Sequence, residues 1–379
     1  MTPWFLPRYG AGALSDVVPS LLAGLGVPGP PPVLALPEAR KVCLLLVDGL
    51  GWQLLRAHPE DAPFLNSLAG NEITAGFPAT TATSLTSIGT GVPSGQHGIV
   101  GYSFAADQDE LINALGWNRH ADHGNVDFRD RYVPEEFQPV PTTFQRAADH
   151  GVHVRVLSSH LQGRSGLTRA AYRGATYDGV FALGDIASKA VAALHAADRV
   201  LCYAYHAELD LLGHVYGPGS TAWRFQLRQV DRLAATIADR LPGGGLLAVT
   251  ADHGMVHVPE EDRIDYDRTP ALQAGVRMLG GEPRVRHLYT DSPEVLQTWR
   301  ELLGDRAWVL PRDEAIAAGW FGPSVAPHAR ARIGDVVAAM RGTTTVVRTQ
   351  QEALMAGLLG QHGSLTEAEQ LIPLLTAVG

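Results

Sequence analysis

Aspartate and histidine side chains follow three apolar segments of the sequence, close to where buried strands would end. They are Asp48, Asp210, His214, Asp252 and His253. One further histidine, His362, stands near the C-terminus. Because Asp210 and His214 are four residues apart, a helix would place both on one face. Imidazole and carboxylate groups are ligands of divalent metals, so these residues predict a metal site.

A run rich in hydroxyl groups, Thr80 to Thr90, follows Phe77 and Pro78. The proline before this run and Gly91 after it favour a helix. A hydroxyl at the start of a helix lies beside free backbone N–H groups and the positive end of the dipole, a place that favours phosphate. Simple helix capping is the alternative explanation of the run.

Continuous apolar segments indicate the strands that must position these residues. They are Val42–Val47, Val152–Leu157, Val200–Tyr205 and Gly245–Thr250. Segments with helical periodicity lie between or beside them, at Pro141–His150, Asp185–Ala197 and Thr221–Leu241. This alternation predicts an α/β fold, with a mostly parallel central sheet covered by helices on both faces. Ligands bind at the carboxyl edge of such a sheet, so we expect the aspartates and histidines to meet there.

Composition changes along the chain predict three regions. Residues 1–40 are rich in proline and glycine and form an N-terminal arm. Residues 41–258 and 341–379 form the catalytic α/β domain, and the irregular stretch 259–340 is a small inserted cap or subdomain.

Length and charge exclude several classes of protein. The chain has 379 residues, 45% of them hydrophobic and 18% charged, which rules out a disordered chain. A formal net charge of −9 argues against a dedicated nucleic-acid-binding protein. No apolar stretch reaches the ~18–20 residues that a membrane span needs, and the N-terminus does not resemble a secretory signal. We therefore expect a cytoplasmic location and no membrane partner.

Taken in order, the motifs resemble the alkaline phosphatase superfamily, in its nucleotide pyrophosphatase/phosphodiesterase-like branch. The matching features are the strand-end Asp48, the run FPATTATS that starts at Phe77, HG at His97, DLLGH at Asp210–His214, ADHG ending at Gly254 and HG at His362. The resemblance covers most of residues 40–260 and the C-terminal Gln361–Leu374, and it implies an alkaline phosphatase-like fold.

The resemblance also implies two divalent metal ions, usually zinc. One ion would be held by Asp210, His214 and His362. The other would be held by Asp48, Asp252, His253 and the oxygen of the nucleophile.

The family's nucleophilic threonine falls on Thr81, with Thr80 as the alternate. Three residues later the family has an asparagine that binds a phosphate oxygen, and here that position is Ser84. A hydroxyl can donate to the same oxygen, although the exchange puts a preference for nucleotides in doubt. Metal coordination would activate the weakly nucleophilic Thr81, and two metals can clamp the attacking and leaving oxygens of an in-line displacement.

We therefore expect a dimetal phosphohydrolase that acts on a small-molecule phosphodiester or pyrophosphate through a phosphothreonine. A phosphomonoesterase usually has an arginine just after the nucleophile, and no arginine lies between Asn71 and Tyr102. A distant arginine, Arg284 or Arg286, could still reach the substrate. Three alternatives stay open: phosphonate hydrolysis, phosphomutase activity, and metal binding by a protein that has lost catalysis. The sequence does not predict the oligomeric state.

Overall fold

A seven-stranded sheet forms the centre of the computed structural model, which describes residues 3–120 and 126–379. Residues 1 and 2 of the expected arm lie outside the described residues. The strands of at least five residues are, in chain order, β1 (Lys41–Val47), β2 (Ala69–Thr74), β3 (His153–Ser159), β4 (Thr176–Val180), β5 (Val200–His206), β6 (Gly245–Thr250), β7 (Met278–Glu282), β8 (Val285–Tyr289), β9 (Ala307–Pro311), β10 (Val336–Met340) and β11 (Leu371–Val378).

The central sheet has the order β2-β11-β6-β1-β5-β3-β4, and only β11 runs antiparallel to its neighbours. Its middle strand, β1, reads KVCLLLV and is buried along almost its whole length. A strand covered on both faces needs apolar residues at every position rather than at alternate ones. The four predicted strands are confirmed, with ends that differ by at most two residues.

Helices connect the strands. Those of at least five residues are α1 (Val17–Gly24), α2 (Trp52–Ala57), α3 (Pro63–Ser67), α4 (Thr81–Thr90), α5 (Thr143–Asp149), α6 (Gly166–Ala171), α7 (Leu183–His195), α8 (Glu208–Tyr216), α9 (Thr221–Ala238), α10 (Glu294–Leu303) and α11 (Arg312–Ala317). The predicted helices are confirmed with small shifts. Helix α5 begins at Thr143 rather than Pro141 because the Thr142 side chain accepts the backbone N–H of Gln145 and caps it.

A second, antiparallel sheet has the order β7-β8-β10-β9. It lies inside the stretch 259–340, where the sequence showed no regular pattern. Apolar side chains of this sheet, such as Leu279 and Leu288, form a smaller core together with Trp299 of α10. The predicted strand Thr344–Arg348 is observed as Thr345–Val347, which pairs with Arg263–Asp265. The division of the chain into arm, catalytic domain and inserted cap remains a prediction.

Two buried ion pairs join the β7–β8 hairpin to other parts of the chain. The Arg284 guanidinium donates two hydrogen bonds to the Glu369 carboxylate, at 2.9 and 2.7 Å, and both side chains are fully buried. The Arg286 guanidinium donates in the same way to Glu352, at 3.2 and 2.8 Å. Paired, bidentate geometry is what makes a buried charge tolerable.

Among the described residues, none of the helices combines the length and the apolar character that a bilayer crossing requires.

Glu369→Ala is expected to lower the free energy of unfolding by about 3–5 kcal/mol, because it leaves the buried Arg284 guanidinium unpaired. Urea denaturation followed by tryptophan fluorescence measures this loss. Glu367→Ala is the matched control, since Glu367 is exposed on the same short helix, Glu367–Gln370; its expected effect is within about 0.5 kcal/mol. A loss below about 1 kcal/mol for Glu369→Ala would contradict the stabilising role of the pair.

Candidate active site

Three neighbouring strands, β5, β1 and β6, bring the predicted ligands to one edge of the central sheet. Val47 lies opposite His206 and Leu46 lies opposite Thr250, so the three strands end at nearly the same level. Asp48 follows β1 directly, and helix α8 starts two residues after β5. The residues that meet at this edge are Asp48, Asp210, His214, Asp252 and His253, joined by His362 from the C-terminal part of the chain.

Asp210, His214 and His362 form one group. Helix α8 carries the first two on one face, as the spacing predicted, with His214 Nε2 3.2 Å from Asp210 Oδ2. His362 Nε2 lies 3.3 Å from His214 Nε2 and 3.9 Å from Asp210 Oδ1.

Asp48, Asp252 and His253 form the second group. His253 Nε2 is 3.3 Å from Asp48 Oδ1 and 3.3 Å from Asp252 Oδ2. The His253 ring stacks on the His362 ring with the centroids 3.5 Å apart, so the two groups are adjacent.

The carboxylates of these groups fit divalent cations. Each leaves one buried oxygen without a hydrogen-bond partner, namely Asp48 Oδ1, Asp210 Oδ1 and Asp252 Oδ2. The other oxygen of Asp252 accepts the backbone N–H groups of Gly49 and His253, both at 3.0 Å, and the other oxygen of Asp48 accepts the Tyr205 hydroxyl. A buried, unpaired carboxylate oxygen is costly, and a bound cation removes that cost.

All three imidazoles are oriented for cation binding. Their Nδ1 atoms face backbone carbonyl oxygens, at 2.7 Å for His214, 3.0 Å for His253 and 2.9 Å for His362. A carbonyl only accepts, so Nδ1 carries the proton and Nε2 of a neutral ring presents a lone pair to the carboxylates. This arrangement, with the remote nitrogen held by a second hydrogen bond, is the usual one for metal-binding histidines.

The pKa values reflect crowding of negative charge. Burial raises the pKa of Asp48 well above its usual value, and the charges of Asp252 and Asp210 raise it further. Burial likewise raises the pKa of Asp252. Burial also disfavours the charged form of Asp210, but His214 outweighs it and lowers that pKa. Burial opposes charge on His214 too, yet Asp210 raises the His214 pKa to about 8. The edge therefore needs positive charge to hold its carboxylates ionised.

The predicted nucleophile, Thr81, reaches this cluster with its hydroxyl. It is the first residue of α4, and its Oγ1 lies 3.3 Å from His253 Nε2. The alternate, Thr80, points elsewhere, because its hydroxyl donates to Glu282 Oε2 at 2.8 Å. The structure thus brings Thr81, and not Thr80, to the predicted metal ligands.

Ser84, the predicted phosphate-binding residue, lies one turn further along α4. Its hydroxyl donates to the backbone carbonyl of Asp252 at 2.8 Å. This bond uses the only proton of the hydroxyl, so Ser84 holds the Asp252 loop against α4. The predicted contact with a phosphate oxygen would require this hydrogen bond to break.

Gly254 allows a close approach of two chain segments rather than an unusual backbone turn. Its backbone does not adopt a left-handed conformation. A Cβ atom at this position would instead lie 2.0 Å from the carbonyl oxygen of Ala368. The glycine is needed because the C-terminal chain passes directly over the Asp252–His253 loop.

The expectation that Arg284 or Arg286 could grip the substrate is wrong for this structure. Both side chains are fully buried, and their guanidinium groups are bound to Glu369 and Glu352. Neither is available to a phosphate group in this arrangement.

A third acidic group, His58, Glu60 and Asp61, has a different character. Both oxygens of Asp61 are already paired, with Arg224 Nε at 2.5 Å and Arg228 Nε at 2.6 Å. It lacks the free buried oxygens of the two central groups, so it makes a poorer cation site.

Sequence reasoning missed Tyr205, Glu282 and Glu369. Tyr205 is the penultimate residue of β5. The expectation that ligands gather where parallel strands end, which identified Asp48, could have identified Tyr205 as well. Glu282 comes from the second sheet, and Glu369 accepts the Ser364 N–H while its carbonyl accepts the Gly254 N–H. No motif in the sequence marked either glutamate.

The mainly parallel α/β sheet, with two adjacent carboxylate–imidazole groups beside a helix-start hydroxyl, matches the fold and site expected of the alkaline phosphatase superfamily. The chain belongs to the type I phosphodiesterase/nucleotide pyrophosphatase family, whose model matches residues 42–365. The resemblance stated from the sequence is thereby confirmed, as is the fold class.

Solved structures with the same fold include an inactive variant of mouse ectonucleotide pyrophosphatase/phosphodiesterase 5 in complex with AMP. It is 18% identical, with a TM-score of 0.65, over 89% of this chain and 88% of that chain. Phosphonoacetate hydrolase from Sinorhizobium meliloti, in complex with phosphonoformate, is 20% identical, with a TM-score of 0.64, over 90% of each chain. At these identities the likeness shows the fold alone.

Curated relatives include the phosphopentomutase of Anaeromyxobacter dehalogenans, 28% identical over 156 residues. That match spans 40% of this chain and 38% of the relative's length.

Asp48→Asn is expected to stabilise the metal-free protein at alkaline pH. The raised pKa of Asp48 means that the folded state binds more protons than the unfolded state, so stability falls as pH rises from about 4 toward the raised value. Because asparagine does not ionise, the variant does not lose stability in this way as the pH rises. Melting temperatures in the presence of a chelator, measured from pH 5 to 8, should diverge by about 2 °C or more at the upper end.

Asp198→Asn, at an exposed position, is the control and should follow the wild type. If the melting temperature of Asp48→Asn stays at or below the wild-type value at pH 8, burial and the charges of Asp210 and Asp252 do not destabilise the ionised Asp48, contrary to the prediction.

Proposed function

We propose that this chain is a dimetal phosphohydrolase that cleaves phosphodiester or pyrophosphate bonds through a covalent phosphothreonine at Thr81. The observation that carries the proposal is the place of the Thr81 hydroxyl, at the start of α4 and 3.3 Å from His253 Nε2. Membership of the phosphodiesterase family supports the reaction class.

Each group offers three protein ligands of nitrogen and oxygen type, which suits a catalytic zinc ion that keeps a coordination position open. Asp210, His214 and His362 would hold one ion. Asp48, Asp252, His253 and the Thr81 oxygen would hold the other. Two such ions supply positive charge that activates a bound hydroxyl and stabilises the charge that develops on phosphorus oxygens. Zinc as the metal and a cytoplasmic location are parts of this proposal.

The chain's own residues then account for the two steps. The Thr81 oxygen loses its proton and bonds to phosphorus while the bond to the leaving oxygen breaks, and the leaving group departs with a proton. A water molecule then bonds to phosphorus as the bond to Thr81 breaks, which restores the hydroxyl and releases the phosphate product. The first backbone N–H groups of α4 have no partner within the helix, and they favour the negative charge of the phosphoryl group.

The substrate we propose is a small-molecule phosphate ester with two substituents on phosphorus. The two arginines that the sequence offered for a monoester, Arg284 and Arg286, are both committed to buried carboxylates. The mouse neighbour was solved with AMP, a phosphate monoester, which supports a phosphate-ester ligand but not the number of substituents on phosphorus.

A phosphotransferase is the second candidate. The observation in its favour is the 28% identity to phosphopentomutase, which extends over only 156 residues. A phosphonate hydrolase shares the fold as well.

Chelation should abolish hydrolysis of bis(p-nitrophenyl) phosphate, and added Zn²⁺ should restore it. The reason is that bound cations would offset the charge of the carboxylates and activate the Thr81 oxygen. Metal analysis should find two ions per chain in the wild type and about one in His362→Ala, which removes a ligand from one group only. Activity that survives complete metal removal would defeat the mechanism. Two ions bound at unchanged affinity in the variant would remove His362 from the ligand set.

Thr81→Ala should reduce turnover on the order of 10³-fold or more while both metals stay bound. Thr80→Ala is the matched neighbour and should retain turnover within about tenfold. Mass spectrometry of acid-quenched wild type should find the phosphate group on Thr81. Full turnover by Thr81→Ala, or phosphate found on Thr80, would overturn the assignment of the nucleophile.

A further inference from the structure

A fourth carboxylate, Glu282 at the end of β7, reaches the site from the second sheet. It is only 3% exposed. Its Oε2 accepts the hydroxyl of Thr80, the residue before the nucleophile. Its Oε1 faces Gly363, the residue after His362, where a Cβ atom would lie only 3.1 Å away. Glu282 therefore lies between the loop that leads to Thr81 and the loop that carries His362.

Glu282 differs from the other buried glutamates near the hairpin in having no cationic partner. Glu369 and Glu352 are each paired with a buried arginine. Glu282 makes no ion pair within the part of the chain that the structure describes, and its Oε1 has no hydrogen-bond partner. Leaving a buried carboxylate unpaired costs stability, so its place beside the site points to a role there.

The charge of Glu282 depends on what the site holds. Burial raises the pKa of Glu282 to about 8 in the protein alone. Divalent cations at the two neighbouring groups would favour the ionised form. Asp48, Asp210, Asp252 and Glu282 would then carry four negative charges, which two divalent cations just balance. Without Glu282 the same site would have one surplus positive charge.

We propose that Glu282 is a specificity-determining residue, whose carboxylate disfavours doubly charged phosphate monoesters and so selects a phosphorus centre that carries a single negative charge. Phosphodiesters and pyrophosphate diesters have such centres. The inference rests on the proposed dimetal function and adds the physical reason for its substrate class. The charge acts through space, so Glu282 need not touch the substrate.

Glu282→Gln tests the proposal, because glutamine keeps the shape and the acceptor for Thr80 but removes the charge. With Zn²⁺ present, kcat/KM is measured on p-nitrophenyl phosphate and on bis(p-nitrophenyl) phosphate. The monoester-to-diester ratio should rise about tenfold or more. An unchanged or lower ratio would overturn the proposal. Glu301→Gln removes the same charge from an exposed site and should leave the ratio unchanged.

Two further measurements do not depend on turnover. Calorimetric titration of the zinc-loaded protein with inorganic phosphate at pH 8 should show at least tenfold tighter binding to Glu282→Gln, and equal affinity would count against the inference. Metal analysis should find two ions in this variant, and loss of one would make Glu282 a ligand instead, which overturns the proposed role. If the wild type hydrolyses neither ester, the proposed function fails, and the phosphate titration alone decides the inference.

Discussion

Repulsion among three carboxylates at one sheet edge, two of them buried and the third half-buried, governs the arrangement of this site. Asp48, Asp210 and Asp252 converge at one sheet edge, and each keeps an oxygen without a hydrogen-bond partner. Within the described residues no arginine or lysine pairs with them; imidazoles are their partners. Such a cluster is tolerable when bound cations supply the missing charge. The proposed two-metal hydrolase rests on this electrostatic deficit together with the fold and the family.

The surrounding structure keeps this unfavourable cluster in place. Backbone carbonyls fix each imidazole, and the Tyr205 hydroxyl binds Asp48. The buried Arg284–Glu369 pair ties the second sheet to the segment after His362, because Glu369 also accepts the Ser364 N–H. The second sheet and its hairpin thus supply a support, through Arg284, and a further buried carboxylate, Glu282. The proposed control of substrate choice and the stability of this region would then depend on the same hairpin.

The sequence predicted the site better than it predicted the surroundings of the site. Parallel strands end at a common edge, so Asp48 and Asp252 could be placed from local patterns alone, and the four-residue spacing placed His214 beside Asp210. Helix limits shifted where a cap such as Thr142 decided the start. Glu282 and the partners of Arg284 and Arg286 were not predictable, because they depend on contacts between segments 60 or more residues apart in the chain. The close packing at Gly254 was not predictable for the same reason, since its neighbour Ala368 is distant in sequence.

Two divalent cations are expected to occupy the two ligand groups. Anomalous X-ray diffraction from crystals grown with Zn²⁺, recorded on both sides of the zinc absorption edge, locates them. We expect two zinc peaks, one among Asp210, His214 and His362 and one among Asp48, Asp252, His253 and the Thr81 oxygen. A single peak, or peaks away from these residues, would rule out the two-metal site.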